Sequence, residues 1–119
     1  MYRTQKFPKT FKELISCPCC VDMKFSPEVI KVLIWAEQFG EVFVTSFYRC
    51  HSYNKKVGGK IKSFHTKGRA VDFFIPQISV RDLSDKLNAK FPESCGIGLY
   101  ITKGFVHFDD REEKARWNG

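Results

Sequence analysis

Residues 63–75 read SFHTKGRAVDFFI. The run AVDFFI (70–75) is apolar and rich in aromatic and branched residues, the composition of a buried strand. Asp72 sits inside it. An ionised carboxylate in such a strand costs several kcal/mol unless a cation meets it. That cation is either an arginine or a metal ion. Seven positions upstream, just before a glycine turn, stands His65, one of only three histidines in the chain.

Working outward, EVFVTS (41–46) reads as a second strand, and SPEVIKVLIWAEQFG (26–40) as the clearest helix. Ser26 is its expected N-cap, Pro27 its first position, Glu28 its first-turn acid and Gly40 its stop. Val29, Ile30, Leu33, Trp35 and Ala36 are its expected inward residues. RCHSYNKKVGG (49–59) is polar and predicts a short helix followed by a glycine loop. Nearer the N-terminus, FKELIS (11–16) predicts a short helix leading into a cysteine turn. Downstream, SVRDLSDKLNAKF (79–91) is amphipathic, with Ser79 as cap, Asp82 three residues on, and Val80, Leu83, Leu87 and Phe91 inward. LYITKGFVHFD (99–109) reads as two strands about a Lys-Gly turn. This order predicts an α+β fold in a single domain, 1–119, its small antiparallel sheet covered by helices on one side.

The chain has 119 residues and a formal charge of +7. It shows no internal repeat. Its longest apolar stretch, VIKVLIWA, is short and carries a lysine, so no membrane span is expected. The basic N-terminus lacks a following hydrophobic region and does not read as a secretory signal, so synthesis in the cytoplasm is expected, with any export that is needed by another route. A basic surface favours polyanions such as nucleic acid, anionic lipid or an anionic cell wall. The lysines are scattered and no RNA- or DNA-reading motif is present, which argues against nucleic acid. Five cysteines without a signal argue against a disulfide framework. Cys17 and Cys20 have CxxC spacing within CPCC, and Cys50 or Cys95 could complete a structural zinc site around Cys17, Cys19 and Cys20; free buried thiols are the other reading.

In FVHFDD (105–110), His107 and Asp109 are two apart on a strand and share a face. If this strand neighbours AVDFFI, Asp72 and His107 converge and His65 arrives from the preceding loop. Two histidines, one carboxylate and an open fourth position make up a catalytic zinc site. Such a site generates a hydroxide-like nucleophile near neutral pH. The plainer reading is a hydrogen-bonded core histidine, and His-x-Asp alone does not decide between them.

The runs SFYRCHSYNKKVGGKIKSFHTKGRAVDF (46–73) and GIGLYITKGFVHFD (96–109) closely resemble the zinc peptidases of the D-alanyl-D-alanine carboxypeptidase type, over about residues 10 to 117. The resemblance implies a fold shared with hedgehog signalling domains and a monomeric enzyme acting on peptidoglycan stem peptides or cross-links. It also implies action at the cell wall, in the periplasm or in a phage particle, since many members are phage lysis proteins or murein hydrolases. By position, His65, Asp72 and His107 match the zinc ligands. Arg49 matches the arginine that holds the substrate carboxylate or developing oxyanion, and Ser63 and Asn54 match positions supporting substrate binding or capping loops. Better-known members place a general-base carboxylate three residues before the last histidine ligand, where this chain has Gly104. Asp109 is the expected substitute, with a second register in which Asp109 binds zinc and His107 does the acid/base work. His51 is an accessory group or a solvated loop residue. The missing upstream carboxylate leaves a second reading: a non-catalytic, zinc-containing binding module of the same fold that recognises cell wall or a protein partner.

Overall fold

AVDFF forms the expected strand. In the computed structural model, which describes residues 5–7, 15–20, 22–60 and 63–119, it lies inside a six-stranded sheet. Along the chain the elements are β1 (Gln5–Lys6), α1 (Pro27–Ala36), β2 (Phe43–Ser46), α2 (His51–Lys56), β3 (Ala70–Phe74), α3 (Val80–Lys90), β4 (Gly96–Tyr100), β5 (Phe105–Asp109) and β6 (Ala115–Asn118). Single 3-10 turns occupy Glu37–Phe39 and Phe64–Lys67. The fold is α+β. The helix expected over 11–16 falls largely outside the described residues.

The strand order is β1-β2-β3-β5-β4-β6. The predicted 99–109 hairpin is present as β4 and β5, although β4 begins three residues earlier, at Gly96. The expectation of a purely antiparallel sheet needs correction. β6 runs parallel to β4, pairing Gly96 with Ala115 and Gly98 with Trp117, so the sheet is mixed. ARWN carries no strand periodicity of its own; Arg116 fixes it, donating to the carbonyls of Cys95 (2.6 Å), Ser94 (3.1 Å) and Phe91 and to the Asn88 side chain.

Strand parity assigns the two faces. Val71, Phe73, Val106, Phe108, Ile97 and Leu99 point to one side and are buried. They share a core with Val29, Val32, Leu33 and Ala36 of α1 and Leu83 and Leu87 of α3. Phe73 and Phe108 are essentially inaccessible, and removing each from water contributes about 2–3 kcal/mol. α3 starts as expected: Ser79 Oγ accepts the Asp82 N–H at 3.0 Å. Ser26 does occupy the N-cap position of α1, but its hydroxyl does not cap. It donates to Asp110 Oδ2 at 2.5 Å instead, tying the start of α1 to the end of β5. Among the described residues no helix is long and apolar enough to cross a membrane.

The opposite parity, Asp72 on β3 and His107 and Asp109 on β5, faces away from this core. Because Asp72 pairs directly with His107 in the ladder, the sheet register alone places their side chains together.

Candidate metal centre

His65 reaches this face from the 3-10 turn. Ser63 caps that turn, its Oγ accepting the His65 N–H at 3.1 Å, and Gly68 closes it in the left-handed region. The turn presses the imidazole inward until it is 2% exposed. His65 Nδ1 lies 2.6 Å from the Phe47 carbonyl. A carbonyl only accepts, so Nδ1 carries the proton and Nε2 presents its lone pair in the neutral ring. That Nε2 is buried without a hydrogen-bond partner among the described residues, 3.3 Å from Asp72 Oδ2. Two acceptors at that distance call for a cation shared between them.

His107 is held at both nitrogens. Nδ1 lies 2.9 Å from Asp72 Oδ1 and Nε2 2.8 Å from Asp109 Oδ2. Burial on its own would lower its pKa, but the hydrogen bonds to Asp109 and Asp72 prevail and push it up to about 9. Burial would likewise raise the Asp72 carboxyl; with a proton as the cation shared at His65 Nε2, the resulting charge of His65 and the hydrogen bond from His107 outweigh burial and hold Asp72 well below the usual carboxylate range. One donor atom each from His65, Asp72 and His107 falls within 4.8 Å of the others. The donor set (two imidazoles and a carboxylate) and the orphaned Nε2 fit zinc with one coordination position left over.

Asp109 is fully buried and heavily engaged. Oδ1 accepts the Arg111 backbone N–H (3.3 Å) and Nε (2.7 Å), while Oδ2 accepts Arg111 Nη2 (2.8 Å) and faces His107 Nε2. Four contacts fill the roughly four lone-pair sites of a carboxylate. Burial opposes ionisation, yet His107 and Arg111 keep Asp109 charged far below its usual range. The metal-ligand group contains His107 and leaves Asp109 out.

A cavity of ≈ 660 Å³ opens over the three ligands, lined in part by Arg49, Ser63, Lys103, Tyr100, Phe105 and Trp117. Arg49 is 7% exposed, and its backbone N–H donates to the His65 carbonyl at 3.0 Å, which ties it to the ligand turn. Asn54 does not line the cavity. It clamps the glycine loop, with Nδ2 donating to the Lys60 carbonyl at 2.7 Å, and a side chain on Gly59 would run into it. His51 is exposed at the start of α2 and takes no part in the lining. The structure thus gathers His65, Asp72, His107, Asp109, Arg49 and Ser63 and leaves Asn54 and His51 outside.

Sequence reasoning missed Arg111, hidden in the charged run DDREE, and Trp117, whose ring lies 5.1 Å from that of His107 and whose Nε1 donates to Tyr100 Oη at 2.9 Å. The motif GIG carried the clue to both. A Cβ on Gly96 would meet both carboxylate oxygens of Asp109, Oδ1 at 2.5 Å, and one on Gly98 would meet Trp117 Nε1 at 2.5 Å. The two glycines are the slots into which those side chains fit.

A family model described as Peptidase M15 matches residues 11–109. No curated protein and no solved structure matches the chain.

Proposed function

The chain belongs to the Peptidase M15 family, and on that premise we propose that it is a zinc peptidase hydrolysing peptide bonds in the stem peptides or cross-links of bacterial peptidoglycan, D-Ala-D-Ala among them. The observation that carries this reading is the convergence of His65 Nε2, Asp72 and His107 Nδ1 at the floor of a cavity that Arg49 also lines. When bound, zinc supplies a Lewis acid that polarises the scissile carbonyl and makes water acidic enough to attack near neutral pH.

The protein's own groups do the rest. Arg49 presents a planar guanidinium, suited to gripping the terminal carboxylate of a stem peptide or a developing oxyanion. Arg49, Lys60, Lys103 and Arg111 outnumber Asp72 and Asp109 around the cavity, which favours an anionic ligand. Asp109 accepts from His107 Nε2 and so fixes the ring with Nδ1 toward Asp72, while Arg111 holds Asp109 in turn. With its lone-pair sites filled, Asp109 suits this orienting task better than that of general base. Action at the cell wall, in the periplasm or in a phage particle would match the substrate.

The same filling of Asp109, together with Gly104 at the turn, favours a second reading: a binding module that keeps zinc and recognises cell wall without turnover. Digestion of purified peptidoglycan with mass analysis of the soluble fragments separates the two. Released peptides that disappear in His65→Ala establish the peptidase and identify the bond. Zinc-loaded protein that sediments with peptidoglycan but releases nothing establishes the binding module.

A further inference from the structure

A second group of ligand-bearing side chains lies outside the site described above. Residues 15–20 and 22–24 pair as the arms of a small hairpin: Ser16 bridges Met23, the Cys17 N–H donates to the Asp22 carbonyl (2.8 Å), and the Lys24 N–H to the Ile15 carbonyl (3.1 Å). Its tip carries Cys17, Cys19 and Cys20. Against it stands Cys50, which caps α2 through its thiol. Cys17 Sγ and Cys19 Sγ are 3.4 Å apart, as are Cys19 Sγ and Cys50 Sγ. All four sulfurs lie within 4.8 Å of one another. Cys95, the alternative fourth partner, stays apart, beside Ser94.

We propose that Cys17, Cys19, Cys20 and Cys50 bind a structural zinc ion as a tetrathiolate. A tetrahedron of zinc–sulfur bonds near 2.3 Å has edges of about 3.8 Å; two of the sulfur pairs here are 3.4 Å apart and none exceeds 4.8 Å, so small side-chain shifts reach that value. Backbone donors already point at two of the sulfurs: Cys50 N–H at Cys17 Sγ and Tyr53 N–H at Cys50 Sγ, each 3.4 Å. Such donors stabilise thiolate over thiol. Four soft donors closed around one point leave no position for water, so the site is structural rather than catalytic.

The location gives the ion a purpose. Cys50 directly follows Arg49. A zinc bound there would pin the segment between β2 and α2 to the hairpin and fix the backbone from which Arg49 reaches the cavity. This consequence, unlike the binding itself, rests on the function proposed above.

Metal counting tests it. Protein purified under reducing conditions should carry two zinc ions per chain, with one left in His65→Ala, one left in Cys50→Ser and two in Cys95→Ser. Cobalt-substituted His65→Ala should show intense thiolate-to-cobalt charge-transfer absorption. Should Cys50→Ser not fold, titrating wild-type thiols with mercuribenzoate should release one zinc of the two and no more. A single zinc lost in His65→Ala, with no zinc released by the mercurial, would overturn the thiolate site and leave the peptidase reading standing. A single zinc kept by His65→Ala and released by the mercurial would support the thiolate site and defeat the histidine one. Cys19 and Cys50 recovered as a disulfide, with no cobalt–thiolate absorption, would also overturn it.

Discussion

Asp109 and Arg49 are tied to the metal ligands differently and should fail in different ways. Asp109 touches Arg111 with both oxygens and His107 with Oδ2, so its effect travels through the orientation of the His107 ring. Asp109→Asn should therefore weaken zinc at the histidine site by about ten- to a hundredfold, while turnover at saturating zinc stays within a few-fold of wild type. Chelator competition and rates measured on one preparation decide it. Full zinc affinity with turnover down by about a hundredfold or more would restore Asp109 as general base. Arg49 lines the cavity and ties its backbone to the His65 turn, but it is not one of the metal-ligating side chains. Arg49→Ala should thus keep its zinc and lose about 3 kcal/mol or more of transition-state stabilisation. Arg49→Lys should recover little of it, because an ammonium lacks the bidentate fork. Wild-type peptidoglycan digestion by Arg49→Ala would remove the residue from the site.

At the scale of elements, β4 shows how a strand is shaped by its neighbour's side chains. Gly96 faces the Asp109 carboxylate so closely that a methyl group has no room. Gly96→Ala should cost about 2 kcal/mol or more of stability through overpacking, and should weaken zinc binding by displacing the carboxylate that orients His107. A double-mutant cycle of thermal melts is diagnostic: with Asp109→Ala as background, the same Gly96→Ala change should cost much less. Equal costs in both backgrounds would place the strain elsewhere. This dependence also explains what the sequence did and did not reveal. β5, α1 and α3 carry their own periodicity and β3 its apolar run, and face parity brings Asp72 and His107 together once β3 and β5 pair, as they do. β1 and β6 are short edge strands held by pairing with residues far away in the chain, which no local pattern records. Gly96 to Gly98 did not read as strand because glycine is depleted there; their reason lies across the sheet in Asp109 and Trp117. Arg111 was invisible for the same cause, since DDREE looks like a solvated charge run until Asp109 is seen to be buried.

For the molecule as a whole, the site stores charge that only a proton or a metal can balance, and this sets its response to pH. Without metal, His107 keeps its proton up to about pH 9 in the folded state, against about 6.5 for an unperturbed histidine. A group whose folded pKa is raised stabilises the fold fully below the unfolded value and loses that contribution as pH rises through the folded one. Asp72 and Asp109 are depressed in the folded state, so their contribution holds above the ordinary carboxylate range and is lost on acidification. Metal-free protein should accordingly be most stable between about pH 5 and 6.5 and melt progressively lower from there to pH 9. Zinc at the histidine site competes with the same His107 proton, so its apparent affinity, and the stabilisation from a fixed excess of zinc, should grow over that interval. Thermal melts with chelator and with excess zinc should diverge as pH rises from 6.5 to 9. In His107→Gln the chelated slope should flatten. A chelated melting temperature that is level across that interval in the wild-type protein would mean that Asp72 and Asp109 do not hold His107 between them.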